Sequence, residues 1–284
     1  MSERRSNGVS TADLARVALD LVGMDDLPGD SDIYVEGSGL RRVMMGIDIA
    51  GAELLLARQL GLDGVVAHHP AGGNAHLHYP SVLTTQIDFL INAGVPADVA
   101  EAAIRPKIRA AELTAQTRNF DHVPSIARLL GMPFLNVHLP LDEYGRRVMA
   151  AAVENHLATV SPNREPLVRD VVAGLATIPE LRDARTDINV AVGDASSPAG
   201  SVFVFHGAGT NGGFAAAQAM WDAGIGTVVY IHIAPPDADQ LRALNRIGKS
   251  VVVSGHISSD MIGINRYVAD LERRGLEVVR MSGL

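Results

Sequence analysis

Apolar residues in this chain fall into short continuous runs and longer amphipathic stretches, separated by Gly and Pro. Val43 to Ile49 and Gly64 to Ala67 are runs of strand length, and between them Ala50 to Leu60 has helical spacing closed by Gly61. Strand, helix, strand in that order predicts a βαβ unit, hence a parallel sheet with a right-handed crossover. Upstream, residues 1–10 read as a loose tail, Ser10-Thr11-Ala12-Asp13 as the capped start of a helix to about Leu21, and Gly29 to Gly39 as a loop. From Tyr79 to Leu130 the pattern is helical in pieces, with breaks expected at Gly94-Val95-Pro96, Arg105-Pro106 and Val123-Pro124. Phe134 to Leu139 is the next strand, and a helix follows to about Leu157. Strands are then expected near 188–193, 201–206, 227–233, 250–255 and 276–281, with helices between most of them.

These elements predict an α/β fold of two lobes with mainly parallel sheets flanked by helices. Turn residues cluster from Ser161 to Pro166, which divides the chain into a first lobe over residues 1–160 and a second over 161–249. The closing strand-helix-strand, residues 250–284, is expected to pack back on the first lobe.

The polar residues that interrupt this pattern collect at strand ends. The run Gly64-Val65-Val66-Ala67 stops at His68-His69-Pro70, and His138, His206, His232 and His256 also lie at or near predicted strand ends. Ligands of open α/β sheets bind at the carboxyl ends of strands. Adjacent strand residues point to opposite faces, but a backbone that turns where the strand stops can bring both imidazoles to one centre. The alternative is one core histidine satisfied by backbone and one loop histidine. Val251 to Asp260 is a strand leading into the first turn of an amphipathic helix, where His256 and Asp260, four apart, can converge; taken alone, Asp260 is better read as stabilising that helix end. Asp142 has the same pair of readings after His138.

Composition narrows the chemistry. A formal charge of -8 and no basic stripe argue against nucleic acid as a partner. The chain has no cysteine, so disulfides, thiolate nucleophiles and sulfur-ligated metals are excluded and any metal must sit on nitrogen and oxygen. No apolar run is long enough to cross a bilayer and no signal peptide is legible, so a cytoplasmic protein with no membrane partner is expected.

Two glycine motifs imitate nucleotide sites. Gly207-Ala208-Gly209-Thr210-Asn211-Gly212 fits the dinucleotide fingerprint between a strand and a helix, yet the next strand ends at Ile231-His232-Ile233 without the acidic residue that holds a ribose hydroxyl. A Gly-rich turn that lets backbone approach a neighbouring group or an anion is the better reading. Gly248-Lys249-Ser250 has a helix before it and a strand after it, the reverse of a phosphate loop, and Gly248 reads as the C-cap of that helix.

Four blocks together carry a family likeness: Ile33-Tyr34-Val35-Glu36-Gly37, the strand-helix-strand leading to Ala67-His68-His69-Pro70, His138-Leu139-Pro140-Leu141-Asp142, and Gly255-His256-Ile257-Ser258-Ser259-Asp260. The chain resembles the NGG-interacting-factor-three-like family, whose members include GTP cyclohydrolase I type 2 homologues. The likeness begins at about residue 32 and is weakest between about 150 and 200. It implies two α/β lobes with a dinuclear metal centre in the cleft between them, assembled into a homo-hexamer. The implied ligands are His68, His69, Asp142, His256 and Asp260, the last standing where the family has glutamate. Leu139-Pro140 replaces the family's Thr-Asn. Three imidazoles and two carboxylates suit two divalent transition-metal ions, zinc, iron, manganese or cobalt. His76 and His78 are candidate catalytic proton carriers if their loop faces that centre; the alternative is a solvated loop.

The resemblance therefore implies a metal-dependent hydrolase of a nucleotide or related small molecule. The alternative is a non-catalytic metal- or nucleotide-binding protein that works through protein partners.

Overall fold

The computed structural model describes residues 8–162, 164–207 and 211–284. Most of the N-terminal tail, and Ala208, Gly209 and Thr210 of the Gly-rich turn, lie outside the described residues. In chain order these form α1 (Thr11–Asp20), β1 (Asp32–Val35), β2 (Arg42–Gly46), α2 (Gly51–Gln59), β3 (Gly64–Ala67), α3 (Gly73–Leu77), α4 (Tyr79–Val82), α5 (Thr85–Asn92), α6 (Ala97–Ala115), α7 (His122–Leu130), β4 (Phe134–Asn136) and α8 (Leu139–Val160). They continue with α9 (Val168–Leu175), α10 (Pro179–Arg182), β5 (Asn189–Val192), β6 (Ser201–Phe205), α11 (Gly213–Asp222), β7 (Ile225–Tyr230), α12 (Pro235–Ala243), β8 (Ser250–Val253), α13 (His256–Arg273) and β9 (Glu277–Met281).

The chain divides into two compact units. The first gathers the residues up to Val82, Ala111–Leu141 and Gly263–Leu284; the second comprises Leu83–Ala110 and Asp142–Ile262.

In the first unit, five strands are ordered β1-β4-β3-β2-β9, all parallel to their neighbours except β1, which runs antiparallel to β4. Successive side chains take opposite faces. Val43, Met45, Val66 and Leu135 pack beneath α1 and α13, against Leu14, Ala18, Tyr267 and Leu271. Met44, Val65, Ala67 and Phe134 pack on the other face, against Leu54 of α2 and Ala127 of α7. A sheet covered on both faces reads as continuous apolar runs, which is why β2 and β3 were legible as strands. Each large aliphatic side chain so buried contributes about 1.5–3 kcal/mol.

The second unit repeats that plan. Its sheet is ordered β5-β8-β7-β6, with β6, β7 and β8 parallel and β5 antiparallel to β8. Val204, Val229 and Val252 face Met149 and Val153 of α8 and Val171 and Leu175 of α9. The order β1-β4-β3-β2 and the order β5-β8-β7-β6 are the same four-strand topology, and in both the antiparallel pair carries a register shift, between Ile33 and Val35 and between Val190 and Val192.

Several local expectations change. The stretch Gly29 to Gly39, expected as a loop, contains β1; only half-buried and flanked by Asp, Ser and Gly, this edge strand has no alternating pattern to announce it. The expected break at Arg105-Pro106 is absent, because α6 runs through Pro106, a proline on an exposed face that forgoes one backbone hydrogen bond. Gly248 is not the cap of α12. That helix ends at Ala243, and Asn245 takes the left-handed position at φ 46°, which asparagine tolerates, while Gly248 turns at φ 71° into β8. The start of α1 is as expected: Ser10 Oγ accepts from the Asp13 amide at 3.0 Å and Asp13 Oδ2 accepts from the Ser10 amide at 2.8 Å.

Candidate metal centre

In the first unit, β3 ends at Ala67 and its backbone continues the ladder for two more residues. The amide of His68 donates to Gly46 O at 2.9 Å and that of His69 to Ile47 O at 3.0 Å. Two residues past β4 comes His138, whose amide donates to Ser31 Oγ at 2.9 Å. The three rings converge, with centroids 5.1 Å apart for His68 and His69, 4.8 Å for His68 and His138, and 5.5 Å for His69 and His138. One ligating nitrogen from each lies within 4.8 Å of the others.

Each of these rings is held through the same nitrogen. Nδ1 of His68 faces Val137 O at 3.1 Å, Nδ1 of His69 faces Asp48 Oδ1 at 2.8 Å, and Nδ1 of His138 faces Asp30 Oδ2 at 2.8 Å. A carbonyl or carboxylate oxygen can only accept, so Nδ1 carries the proton in all three and Nε2 presents its lone pair. That arrangement fixes the tautomer and orientation of a metal-ligating histidine. Asn136 braces the same strand ends from within the core. Its Oδ1 accepts from the Asp32 amide at 3.0 Å and from Tyr34 Oη at 2.6 Å, and its Nδ2 donates to Asp30 O at 2.8 Å and His68 O at 3.3 Å.

In the second unit the functional side chains also follow parallel strands. His206 comes directly after β6, His232 lies two residues past β7, and His256 opens α13 three residues past β8. Asp142 stands in the first turn of α8 and is buried, with His206 Nε2 at 4.0 Å from its Oδ1. His256 Nε2 is 3.3 Å from Oδ2 of the buried Asp260, one helical turn on. The ring of His232 lies 4.9 Å from that of His256, and its Nδ1 is 2.9 Å from Asn211 Nδ2. Burial, followed by the neighbouring His256, pushes the His232 imidazole below its usual range. The strand-to-helix turn before His256 is stiffened by Ser254 and Ser259, whose hydroxyls are 2.7 Å apart, and by Gly255 at φ 102°.

The whole chain is similar to the crystal structure of a NIF3 superfamily protein from Sphaerobacter thermophilus, with 54% identity over 98% of this chain and 100% of that one and a TM-score of 0.94. This chain belongs to the NIF3 superfamily. The name abbreviates the family that the four sequence blocks resemble. A Bacillus cereus protein related to NIF3 shares the fold at 11% identity, with 97% of each chain covered and a TM-score of 0.51. HcgD from Methanocaldococcus jannaschii does so at 12% identity, over 96% of this chain and 98% of that one, with a TM-score of 0.56. No family model and no curated protein matches the chain.

Of the ligands implied for this NIF3 superfamily member, His68 and His69 are brought together, as are His256 and Asp260, while Asp142 lies beside His206. His138 and His206 belong to the strand-end pattern but not to the implied ligand set. His76 lies in α3, half-buried, with Nε2 3.1 Å from Pro70 O; burial pushes its imidazole down, and the Pro70 carbonyl partly restores it. His78 closes α3 on the exposed side. The donor set is wholly imidazole and carboxylate, which fits a divalent transition metal. Among the described residues no helix is long and apolar enough to cross a membrane.

Proposed function

We propose that this NIF3 superfamily member is a metal-dependent hydrolase acting on a nucleotide or related small molecule. In this reading two divalent transition-metal ions, zinc, iron, manganese or cobalt, are held by His68, His69, Asp142, His256 and Asp260. The observation that carries it is the shared Nδ1 anchoring of His68 and His69, which orients both imidazoles for ligation, with His138 anchored in the same way beside them. Bound ions would supply a Lewis acid and a water of lowered pKa. Five protein ligands for two ions leave coordination positions for water and substrate, an arrangement of catalytic rather than structural sites. The chain's own contribution is orientation. Asp30 and Asp48 fix His138 and His69, and Asn136 fixes the backbone of His68.

Homo-oligomerisation, as a hexamer, belongs to the same proposal. It is supported by apolar side chains left exposed on the neighbouring helices α2 and α7, Leu55 at 56% and Leu129 at 89% exposure. Light scattering of the purified protein tests it.

The deciding experiment is metal content per chain, by plasma mass spectrometry on untagged protein purified without chelator, beside His68→Ala and Asp260→Ala. Roughly two transition-metal ions per chain, reduced in both variants, support the centre. Turnover of a nucleotide and phosphoester panel should then appear with that metal and vanish in a folded His256→Ala protein. Metal without turnover, together with a stable partner on pull-down, would replace the hydrolase by the non-catalytic binding protein. Little metal even after reconstitution would remove the hydrolase and shift the search to protein partners.

A further inference from the structure

The second unit holds a cavity of about 300 Å³ at the end of its sheet away from the histidines. Lys249 directly precedes the four-residue β8 and His256 follows it, so the length of that strand, about 13 Å, separates this cavity from the histidine end. Its walls include Trp221 from the last turn of α11, Arg242 from α12, and Arg246, Ile247 and Lys249 from the turn into β8, with Asp194 after β5. Three cations and one carboxylate line it; Asp239 and Asp222, outside the lining, pair with Arg242 and Arg246, which leaves Lys249, one of the chain's two lysines, as the cation with no carboxylate bonded to it among the described residues.

The cations are fixed in place but not used up. Arg242 Nε donates to Ala191 O at 3.0 Å and its Nη1 to Asp239 at 2.6 Å, Arg246 Nη1 bonds Asp222, and Lys249 Nζ donates to Ile225 O at 2.6 Å. A guanidinium has five donors and an ammonium three, so each retains capacity for an incoming acceptor. Burial, and then the nearby Arg246, push the Lys249 ammonium below its usual range, which an anion placed between the two cations would reverse. Asp194 is tied to its own turn, its Oδ1 accepting from Ser196 N at 2.7 Å and from Ser196 Oγ at 2.6 Å.

Two buried donors supply an independent sign. Trp221 is 3% exposed, and its Nε1 has no hydrogen-bond partner among the described residues. Buried indole N–H groups normally find one, and leaving a donor unpaired is costly. Ser250, 1% exposed, has an unpartnered Oγ as well, and this hydroxyl stands against the cavity wall at Gly193, where an added Cβ would run into it. Ile247, 99% exposed at the mouth, offers an apolar contact outside the charged interior.

We propose that this cavity binds a small oxyanion-headed molecule of the size of phosphate or a phosphate monoester, held by Arg242, Arg246 and Lys249 with the Trp221 indole N–H as directional donor. The cavity volume sits at the lower end of small-molecule sites and matches a small anionic head. Arginine pairs bidentately with such heads, which favours phosphate over a simple halide.

Trp221 is the only tryptophan in the chain, so its emission reports this cavity alone. The intact protein is titrated with inorganic phosphate and with phenyl phosphate at ionic strength held constant by sodium chloride, with calorimetry in parallel. The expected result is a saturable emission change for both, absent with sodium chloride, and binding about tenfold weaker or worse in Lys249→Met and Arg246→Gln. Trp221→Phe, followed by calorimetry, should weaken binding too. Chelator-stripped protein should give the wild-type curve. No saturable change, undiminished binding in the charge variants, or loss of binding on stripping the metal, which would move the anion to the histidines, overturns the proposal.

Discussion

Asp30 is fully buried, and its Oδ2 lies 2.8 Å from Nδ1 of His138, a residue 108 positions later in the chain. A buried carboxylate beside an imidazole makes a charge-assisted hydrogen bond in low dielectric, which holds the ring in one orientation and raises its basicity at Nε2. His69 has an equivalent partner in Asp48, but that carboxylate is 73% exposed and water can take its place. His138 stands outside the five proposed ligands but its ring lies 4.8 Å from that of His68, so Asp30→Asn is expected to lower metal affinity by about tenfold, with Asp48→Asn lowering it less. Competition against a chromophoric chelator measures both, and wild-type affinity in Asp30→Asn would uncouple His138 from the ions.

Metal binding to the folded chain should also appear as stability. An ion held at about a hundredfold its dissociation constant adds about 2.7 kcal/mol to unfolding. Stripping with chelator should lower the melting temperature of the wild type, and re-addition of the metal should restore it. His68→Ala should show little response to either step. A melting temperature that ignores chelator in the wild type would rule out stable occupancy.

The strand-end histidines were legible because each follows an apolar run whose length announces a strand. Convergence of the neighbours His68 and His69 followed from the strand ending there. What stayed hidden has no local signature. Asp30 sits in a stretch of Gly, Asp and Ser that looks like any loop, and Asn136 looks like a strand residue of the wrong polarity, yet both act on residues distant in sequence. The repeated topology was hidden for a related reason. His138 and Asp142 follow the fourth strand of the first sheet as His256 and Asp260 follow the fourth strand of the second, four residues apart each time. His-Leu-Pro-Leu-Asp and His-Ile-Ser-Ser-Asp share only their end residues, so the likeness lives in strand order rather than in composition.

Gly263 lies in α13 where that helix passes the backbone of Leu141 in the first turn of α8. A methyl group there would overlap the Leu141 carbonyl, and backbone cannot rotate aside as a side chain would. The helix-propensity gain of alanine over glycine, about 1 kcal/mol, works in the opposite direction. Overpacking against a fixed carbonyl outweighs it, so Gly263→Ala should destabilise the protein by about 2 kcal/mol net. Urea unfolding with an unchanged slope would read this as a shifted midpoint. An unshifted midpoint would mean that the two helices separate without cost.

Acid stability should depend on Asp170. Its carboxylate accepts two bonds from Arg164, at 2.6 and 2.7 Å, and one from the Leu167 amide at 2.7 Å. Arg164 is the main reason that its pKa falls from an ordinary 3.8 to about 2, against the opposing effect of burial. The folded state thus releases this proton more readily than the unfolded chain does. Its contribution is complete above about pH 5, declines as pH falls through the ordinary carboxylate range, and is gone below about pH 2. With Arg164 partly exposed and screened by solvent, the contribution at neutral pH is about 1–2 kcal/mol. Asp170→Asn should lower unfolding free energy by that amount at pH 7 and approach the wild type by pH 2.5. Denaturant titrations at a series of pH values would show the two curves converging, and parallel curves would assign the stabilisation to something other than ionisation of Asp170.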